Sequence, residues 1–513
     1  MANSAVKIAP AVTLSLIIAA LIFGSAAVVA ARADAWAMNP ADWAALRFTV
    51  LQAALSAGIS TALAIPVARA LFRRRFWGRA GLIRLMAAPF VLPVVVAVLG
   101  LLAVFGRLGP MNLGLAALGL PPVSIYGLHG VVLAHVFLNL PLATRMILHG
   151  WQAIPPERFR LASSLGLPYA TQFQHLELPM LRAILPGIAA VIFLICLTSF
   201  AVALTLGGGP KASTIELAIY QSLRFEFDLG RAALLAVLQF GLCAAVTVAS
   251  LRFTVAQAFG AGLGGDPVLH AAKGWRRCVD VFAIAVSAAF LLAPLVAVVI
   301  SGLPGLHHLP DMIWLAAVRS LAIAVVSAVM ATVAALTLAQ AAARHTKGWF
   351  DLVPMLPLSA SSLVLGTGLF LALRPILDPE TLSVPITILV NATLTLPFLF
   401  RLILPEARQL QADYARLTAS LGLTAMTELR FVTLPRLARP LGFGAGLAAA
   451  LSMGDLGVIA LFAGDRGATL PLVVQRLMGA YRMEAAAGAA LILVSFSFAL
   501  FWAFDRIGHY VDA

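Results

Sequence analysis

Long apolar stretches, separated by short polar ones, set the rhythm of this chain. Twelve of them are long enough to cross a bilayer, at 11–31, 48–68, 85–106, 124–144, 183–206, 232–251, 279–303, 320–343, 352–373, 383–400, 441–463 and 486–504. A spanning helix needs about 20 mostly apolar residues, because a rise of about 1.5 Å per residue must cover roughly 30 Å of hydrocarbon. The pattern predicts an all-α polytopic membrane protein with about 12 transmembrane helices. Composition agrees, with 62% of the 513 residues hydrophobic and 11% charged, where soluble domains are about a quarter charged. The run from Ile8 to Ala31 follows Lys7. It exceeds the roughly 7–15 apolar residues of a signal peptide and reads as an uncleaved first span.

The twelve runs fall into two sets of six. Gly166 and Gly422 stand 256 positions apart, as do Pro179 and Pro435, Pro141 and Pro397, Arg145 and Arg401, and Arg160 and Arg416. The segment LPLATRMIL (Leu140–Leu148) aligns at the same offset with LPFLFRLIL (Leu396–Leu404). A repeated unit is the first thing to seek in a long chain. We expect a first repeat over 1–257, a cytoplasmic linker over 258–278 centred on Ala258–Pro267, and a second repeat over 279–513. Six spans per repeat is an even number, so both copies insert in the same orientation. An odd number would invert the second copy, as in many secondary transporters.

Each repeat carries the same polar phrase after its fourth span, within about 150–182 and 405–438. One copy reads SSLGLPYATQFQHLELPML (Ser163–Leu181) and the other ASLGLTAMTELRFVTLPRL (Ala419–Leu437). The residues before Gly166 and Gly422 are compatible with helix, and glycine there permits a helix C-cap. A second short amphipathic segment ends at Leu-Pro, where proline opens the next helix without losing a needed N–H. The expected product is helix, glycine turn and second short helix at the inner face, a shape suited to a partner's groove. An amphipathic loop resting on headgroups would explain one copy. Two copies with identical spacing favour docking.

The net charge of +14 first suggests nucleic acid. With the N-terminus placed in the cytoplasm, most Lys and Arg fall on inner loops while the acids divide evenly, so the whole excess is cytoplasmic. That is the positive-inside rule, and it reports topology. Cys196 and Cys243 fall in spans and Cys278 at an inner helix end, so no disulfide framework is implied.

The spacing G-x9-[aliphatic]-x-L-P, met as Gly166, Leu176, Leu178 and Pro179 and again as Gly422, Val432, Leu434 and Pro435, resembles the EAA loop of ABC importer permeases. The resemblance covers nearly the whole chain and implies a type I ABC importer permease fold. It implies coupling helices seated in clefts of an ATPase dimer, with Arg160, Ala162, Gly166, Leu178, Pro179, Arg416, Gly422, Leu434 and Pro435 as the coupling residues. The chain departs from the family at the E-A-A positions, which read Arg160-Leu161-Ala162 and Arg416-Leu417-Thr418. Two further stretches, Leu204–Gln239 and Ser452–Arg482, look like the thiamine/thiamine pyrophosphate importer permeases, fused two-copy inner-membrane components. What this implies is uptake of thiamine and its phosphates, a periplasmic thiamine-binding protein at the outer face, lipid around the spans and no nucleic-acid partner. It also implies a bacterial inner (cytoplasmic) membrane location with both termini cytoplasmic, no cofactor on this chain, and ATP on the partner subunit. A ferric-iron importer of the same architecture is the nearest rival, and a proton-coupled secondary transporter the rival from another class.

The residues themselves offer little catalytic chemistry. GGGPKAST (Gly207–Thr214) imitates a phosphate loop, but its Lys follows Pro and the spacing is wrong. The chain is therefore expected to be a permease and not an ATPase. His307 and His308 stand beside Asp311, too few convergent ligands for a metal site. Asp455 is the acid well inside a predicted span, and with Ser452 it is the candidate for a substrate pathway. Intramembrane acids are costly and face cavities or partners, but Gly454 and Gly457 permit a break that Asp455 would simply cap. Both roles stay open. Glu216, Glu226, Asp228, Arg476 and Arg482 are candidate outer-face charges for a solute-binding protein, with ordinary solvated faces as the alternative.

Overall fold

The computed structural model describes residues 2–33, 37–86, 91–209, 212–250, 252, 274–345, 348–376, 378–464 and 467–512. Most of the expected linker, including Ala258–Pro267, lies outside the described residues. Every regular element among them is helical.

The principal helices of the N-terminal half are α1 (Ala2–Arg32), α2 (Pro40–Arg73), α3 (Val94–Phe105), α4 (Leu128–Gln152), α5 (Leu178–Leu197) and α6 (Leu229–Ser250). Those of the C-terminal half are α7 (Trp275–Gly305), α8 (Met312–Arg344), α9 (Ser362–Leu373), α10 (Pro379–Ser420), α11 (Leu434–Met453) and α12 (Met483–Asp512). Among the described residues, 11 helices are long and apolar enough to cross a membrane, or 12 if the bent pair Trp349–Ser359 and Ser362–Leu373 counts as one span. Large apolar side chains such as Leu16, Phe23, Phe282 and Val318 stay exposed along these helices. That surface is at home only in lipid.

Local chemistry explains the ends. Asn39 and Asp42 cap α2 reciprocally, each side chain accepting from the other's backbone N–H, and Pro40 occupies the first helical turn. The expected span 352–373 is not one straight helix. Its first part is a 3-10 helix, Val353–Ser359, carrying Pro354 and Pro357, and the chain turns by 87° before α9. Proline removes the N–H groups an α-helix would need. Ser361 then restarts the chain as α9, its hydroxyl accepting from Val364 N at 3.1 Å.

The halves interlock. α1 packs on α9 of the other half, and α7 packs on α3. Both crossings rest on small residues. A Cβ on Gly100 in α3 would lie 2.6 Å from the Pro294 carbonyl oxygen of α7, and one on Gly368 in α9 would lie 2.6 Å from Ser25 Cβ of α1. Within each half, α2 packs on α4 and α5 on α6, as α8 packs on α10 and α11 on α12. The seam between halves therefore runs beside α3 and α9.

Candidate functional site

The two polar phrases fold alike. The short helix Pro156–Ser164 ends at Leu165, and Gly166 takes φ +62°. Leu167 N donates to Ala162 O and Gly166 N to Ser163 O, both at 3.0 Å. At the end of α10, Gly422 takes φ +61°, Leu423 N donates to Thr418 O and Gly422 N to Ala419 O, both at 3.2 Å. These paired reverse bonds close a helix end around a left-handed residue, a conformation glycine reaches without steric cost. Nothing lies within 4 Å of where a Cβ would stand on either glycine, so the constraint is backbone angle and not space.

The phrases differ in how they begin. Pro155 and Pro156 separate α4 from the short helix, whereas Gln411 and Ala412, 256 positions later, let α10 run unbroken to Ser420. They differ from expectation in how they end. The second segment is not a separate helix stopped at Leu-Pro. One α-turn (Tyr169–Gln172, and Ala425–Glu428) passes into a π-turn (Phe173–Glu177, and Leu429–Thr433) that continues straight into α5 or α11. The wider π register accommodates Pro179 and Pro435, whose rings would crowd the carbonyl four residues back in a plain α-helix.

Exposure divides the site residues. Arg160, Gly166, Arg416 and Gly422 are exposed, as are Pro179 and Leu434, while Leu178 and Pro435 are half-buried and Ala162 is buried. Leu161 and Leu165 of one phrase and Leu417 and Leu421 of the other are each more than half exposed, at the same offset. Four leucines thus stand out from the polar phrases as two matched pairs.

Each phrase is tied to the second span of its half. Glu177 is buried and receives Arg69 Nε and Arg73 Nη2, both at 2.7 Å. Arg73 also hydrogen-bonds the Tyr169 hydroxyl, and Arg69, Arg73 and Arg276 crowd the Tyr169 ring at 4.8, 4.4 and 4.3 Å from its centroid. In the other half Arg344 Nη2 meets Glu428 Oε1 at 2.7 Å.

The fifth spans are broken at equivalent points, against the expectation of continuous runs over 183–206 and 441–463. α5 stops at Leu197 and helix resumes over Ala201–Leu206; α11 stops at Met453 and helix resumes over Gly457–Phe462. Gln52 of α2 and Gln239 of α6 donate to the released carbonyls of Cys196 and Leu197, both at 2.9 Å. Ser452 receives Asn391 Nδ2 at 2.9 Å, and Cys196, 256 positions earlier, receives Asn139 Nδ2 at 3.4 Å. Asp455 lies in the second break. Its Oδ1 accepts from Gly457 N at 3.3 Å, as a cap would, and its Oδ2 has no partner.

The charges expected at the outer face separate. Asp228 accepts from Arg231 N at 2.9 Å beside the start of α6, Arg231 bridges Glu226 and Asp42, and Arg482 is exposed. Arg476 is half-buried and donates to Gly464 O at 3.3 Å. Glu216 is a correction, because it is wholly buried in the short helix Ile215–Gln221. Burial pushes its carboxyl up to about 8. The signal in the sequence was its company: Ile215, Leu217, Ala218 and Ile219 are all apolar, and all are buried. Beyond it, between the halves, Leu223, Arg224, Phe370, Arg374, Phe462 and Gly464 help line a cleft of about 300 Å³. His308 lies 3.5 Å from exposed Glu484, and no group of metal ligands occurs among the described residues. Within Gly207–Thr214, positions 210 and 211 lie outside the described residues.

Interlocked six-helix halves with paired polar phrases define a polytopic permease of the ABC-importer type. No protein-family profile matches the chain. Among characterised proteins it is similar to the thiamine transport system permease protein ThiP of Salmonella typhimurium, 39% identical over 486 residues, which is 91% of this chain and 89% of that one. The protein of the same name from Brucella abortus is 37% identical over 480 residues (90% and 87%), and that from Haemophilus influenzae 33% over 467 (87% and 85%). The chain belongs to this family of thiamine transport system permeases.

Proposed function

We propose that this chain supplies both membrane halves of an ATP-driven, binding-protein-dependent importer of thiamine and its phosphates in the bacterial inner membrane. The repeats span 1–257 and 279–513 with a cytoplasmic linker between them, and both termini lie in the cytoplasm. An ATPase dimer grips the two phrases from the cytoplasm through Gly166 and Gly422, Arg160 and Arg416, and the surfaces ending at Leu178-Pro179 and Leu434-Pro435, with Ala162 packing beneath. A periplasmic thiamine-binding protein delivers substrate at the outer face. Ser452 and Asp455, at the broken eleventh span, stand along the path.

The observation that carries this reading is the matched pairs Leu161/Leu165 and Leu417/Leu421, exposed beside glycine turns of the same geometry. Apolar side chains repeated on a polar face at equivalent points mark a surface that a partner covers. ATP binding would draw the phrases together and move the seam between halves. For that, the two states must differ in free energy with nucleotide state. Nothing in the site or the relatives favours ferric iron or proton coupling.

The test is ATP hydrolysis in proteoliposomes by the chain with its ATPase. Stimulation by the thiamine-loaded binding protein over the empty one supports the coupling and the substrate together. Stimulation by an iron-loaded partner alone overturns the substrate, and failure of any ATPase to associate overturns the docking role.

A further inference from the structure

Glu216 is a carboxylate with no exposure and no hydrogen-bond donor to either oxygen. Its helix is firmly placed. Thr214 caps it, and Ile215 N donates to Thr49 Oγ1 of α2 at 2.9 Å. The polar side chains beside the carboxylate are Ser361, which caps α9, and Gln239 of α6. They offset part of the cost of burial, but neither carries a charge and neither meets an acid oxygen in hydrogen-bonding geometry. The Gln239 amide nitrogen is committed to Leu197 O and its Oε1 is itself without a partner. The Ser361 hydroxyl oxygen accepts from Val364 N, which leaves its hydrogen available to the acid. Because α9 belongs to the C-terminal half, the acid sits on the seam.

A second acid stands on the other side of the same helix end. A Cβ on Gly457 would lie 2.2 Å from Ser362 Oγ and 3.6 Å from Asp455 Oδ1, so Ser362 and Asp455 share the space over that glycine. The start of α9 is thus bracketed by Glu216 from one half and Asp455 from the other, each with an oxygen that has no partner. Following α9 toward its C-terminal end, a distance of about 20 Å at 1.5 Å per residue, leads to Phe370 and Arg374 in the cleft between halves. The acids lie at one end of the seam and the cleft at the other.

A carboxylate buried without a counter-charge is expensive, and ionisable groups inside membrane proteins are kept where they meet a substrate or an ion. The repeat does not duplicate this arrangement. The positions 256 away from Glu216 and Asp455 are Leu472 and Ser199, so there is one two-acid site and not two. We propose that Glu216 and Asp455 form a binding site for a small organic cation, closed in this state and formed when the halves part along α9. It rests on the reading of the chain as a thiamine permease and deepens it: the quaternary ring nitrogen of the substrate is the cation, and its arrival supplies the counter-charge that lets the Glu216 carboxyl release its proton to water and ionise.

The test is thiamine uptake by the complete importer in proteoliposomes, for wild type, Glu216→Gln, Glu216→Asp, Asp455→Asn and the double neutral variant. Membrane insertion, assembly with the ATPase and the melting temperature of each purified complex serve as controls. Glu216→Gln is expected to assemble and to melt no lower than wild type, because a neutral amide removes the buried acid. Its uptake should fall at least tenfold with a raised KM, Glu216→Asp should recover part of it, and the double variant should lose less than the product of the two singles. Glu216→Gln uptake at the wild-type KM and kcat overturns the site. So does a loss of uptake that accompanies a lowered melting temperature in all three single variants. A wild-type complex that takes up no thiamine overturns the functional reading itself, before any variant is compared.

Discussion

Arg73 and Glu177 join the second span to the first polar phrase: Nη2 of the arginine lies 2.7 Å from Oε1 of the glutamate, and both side chains are buried. Arg69 completes the grip from one turn earlier, at 2.7 Å. Any movement of the phrase is therefore handed to α2 through a charged, desolvated contact. Removing one partner of a buried pair leaves the other uncompensated, which costs about 3–5 kcal/mol. Glu177→Ala should lower the melting temperature of the purified chain and abolish uptake. A variant that melts and transports like wild type would show that the phrase is held elsewhere.

The matching contact in the other half is weaker in kind. Arg344 meets Glu428, and the two side chains keep 21% and 13% of their exposure, against 7% and 3% for Arg73 and Glu177. Solvent screens part of such a pair, and partly exposed pairs contribute about 1 kcal/mol or less. Arg344→Ala is expected to lower the melting temperature less than Glu177→Ala and to leave measurable uptake. Equal losses in the two variants would mean that burial does not set the difference between the halves.

The glycine turns yield a graded expectation. Gly422 at φ +61° has open space around it, so only the backbone penalty opposes a side chain. That penalty is about 1–2 kcal/mol for most residues and small for Asn. Uptake should fall in the order Gly422→Asn, Gly422→Ala, Gly422→Val, with membrane insertion unchanged throughout. Gly422→Asp adds charge to the docking turn and should abolish uptake although aspartate tolerates the angle. Wild-type rates in Gly422→Asp would remove the docking role from this turn.

Much of this was legible in the chain. The apolar runs located all twelve principal helices, because length and hydropathy decide what crosses a bilayer. The offset of 256 positions between Gly166 and Gly422 foretold two matched turns. The interruptions were not legible as interruptions. Thr198–Phe200 and the prolines at 354 and 357 sit in stretches whose hydropathy is satisfied by a straight or a broken helix alike. Gly454 and Gly457 raised the possibility of a break, and only the Gly457 N–H bond to Asp455 resolved it. The Arg73–Glu177 contact joins residues 104 positions apart, which no local pattern reports. Glu216 misled because its place between two spans suggested solvent, while its apolar neighbours pointed inward.

The break in the fifth span exposes carbonyls that a continuous helix would have used, and this gives the last expectation. Gln239 Nε2 serves Leu197 O at 2.9 Å in a wholly buried setting. Gln239→Leu keeps the volume nearly constant and removes the donor. An unsatisfied buried carbonyl costs about 1–3 kcal/mol, so the melting temperature of the purified chain should drop by several degrees. Gln239→Glu removes the same donor and adds a second carboxylate beside Glu216, where neither acid has a counter-charge. It should therefore be more destabilising than Gln239→Leu, increasingly so as the pH rises through about 8. The two variants separate a missing hydrogen bond from added charge. Equal melting temperatures would show that Gln239 matters only as the carbonyl's partner and that the acid at 216 does not feel it.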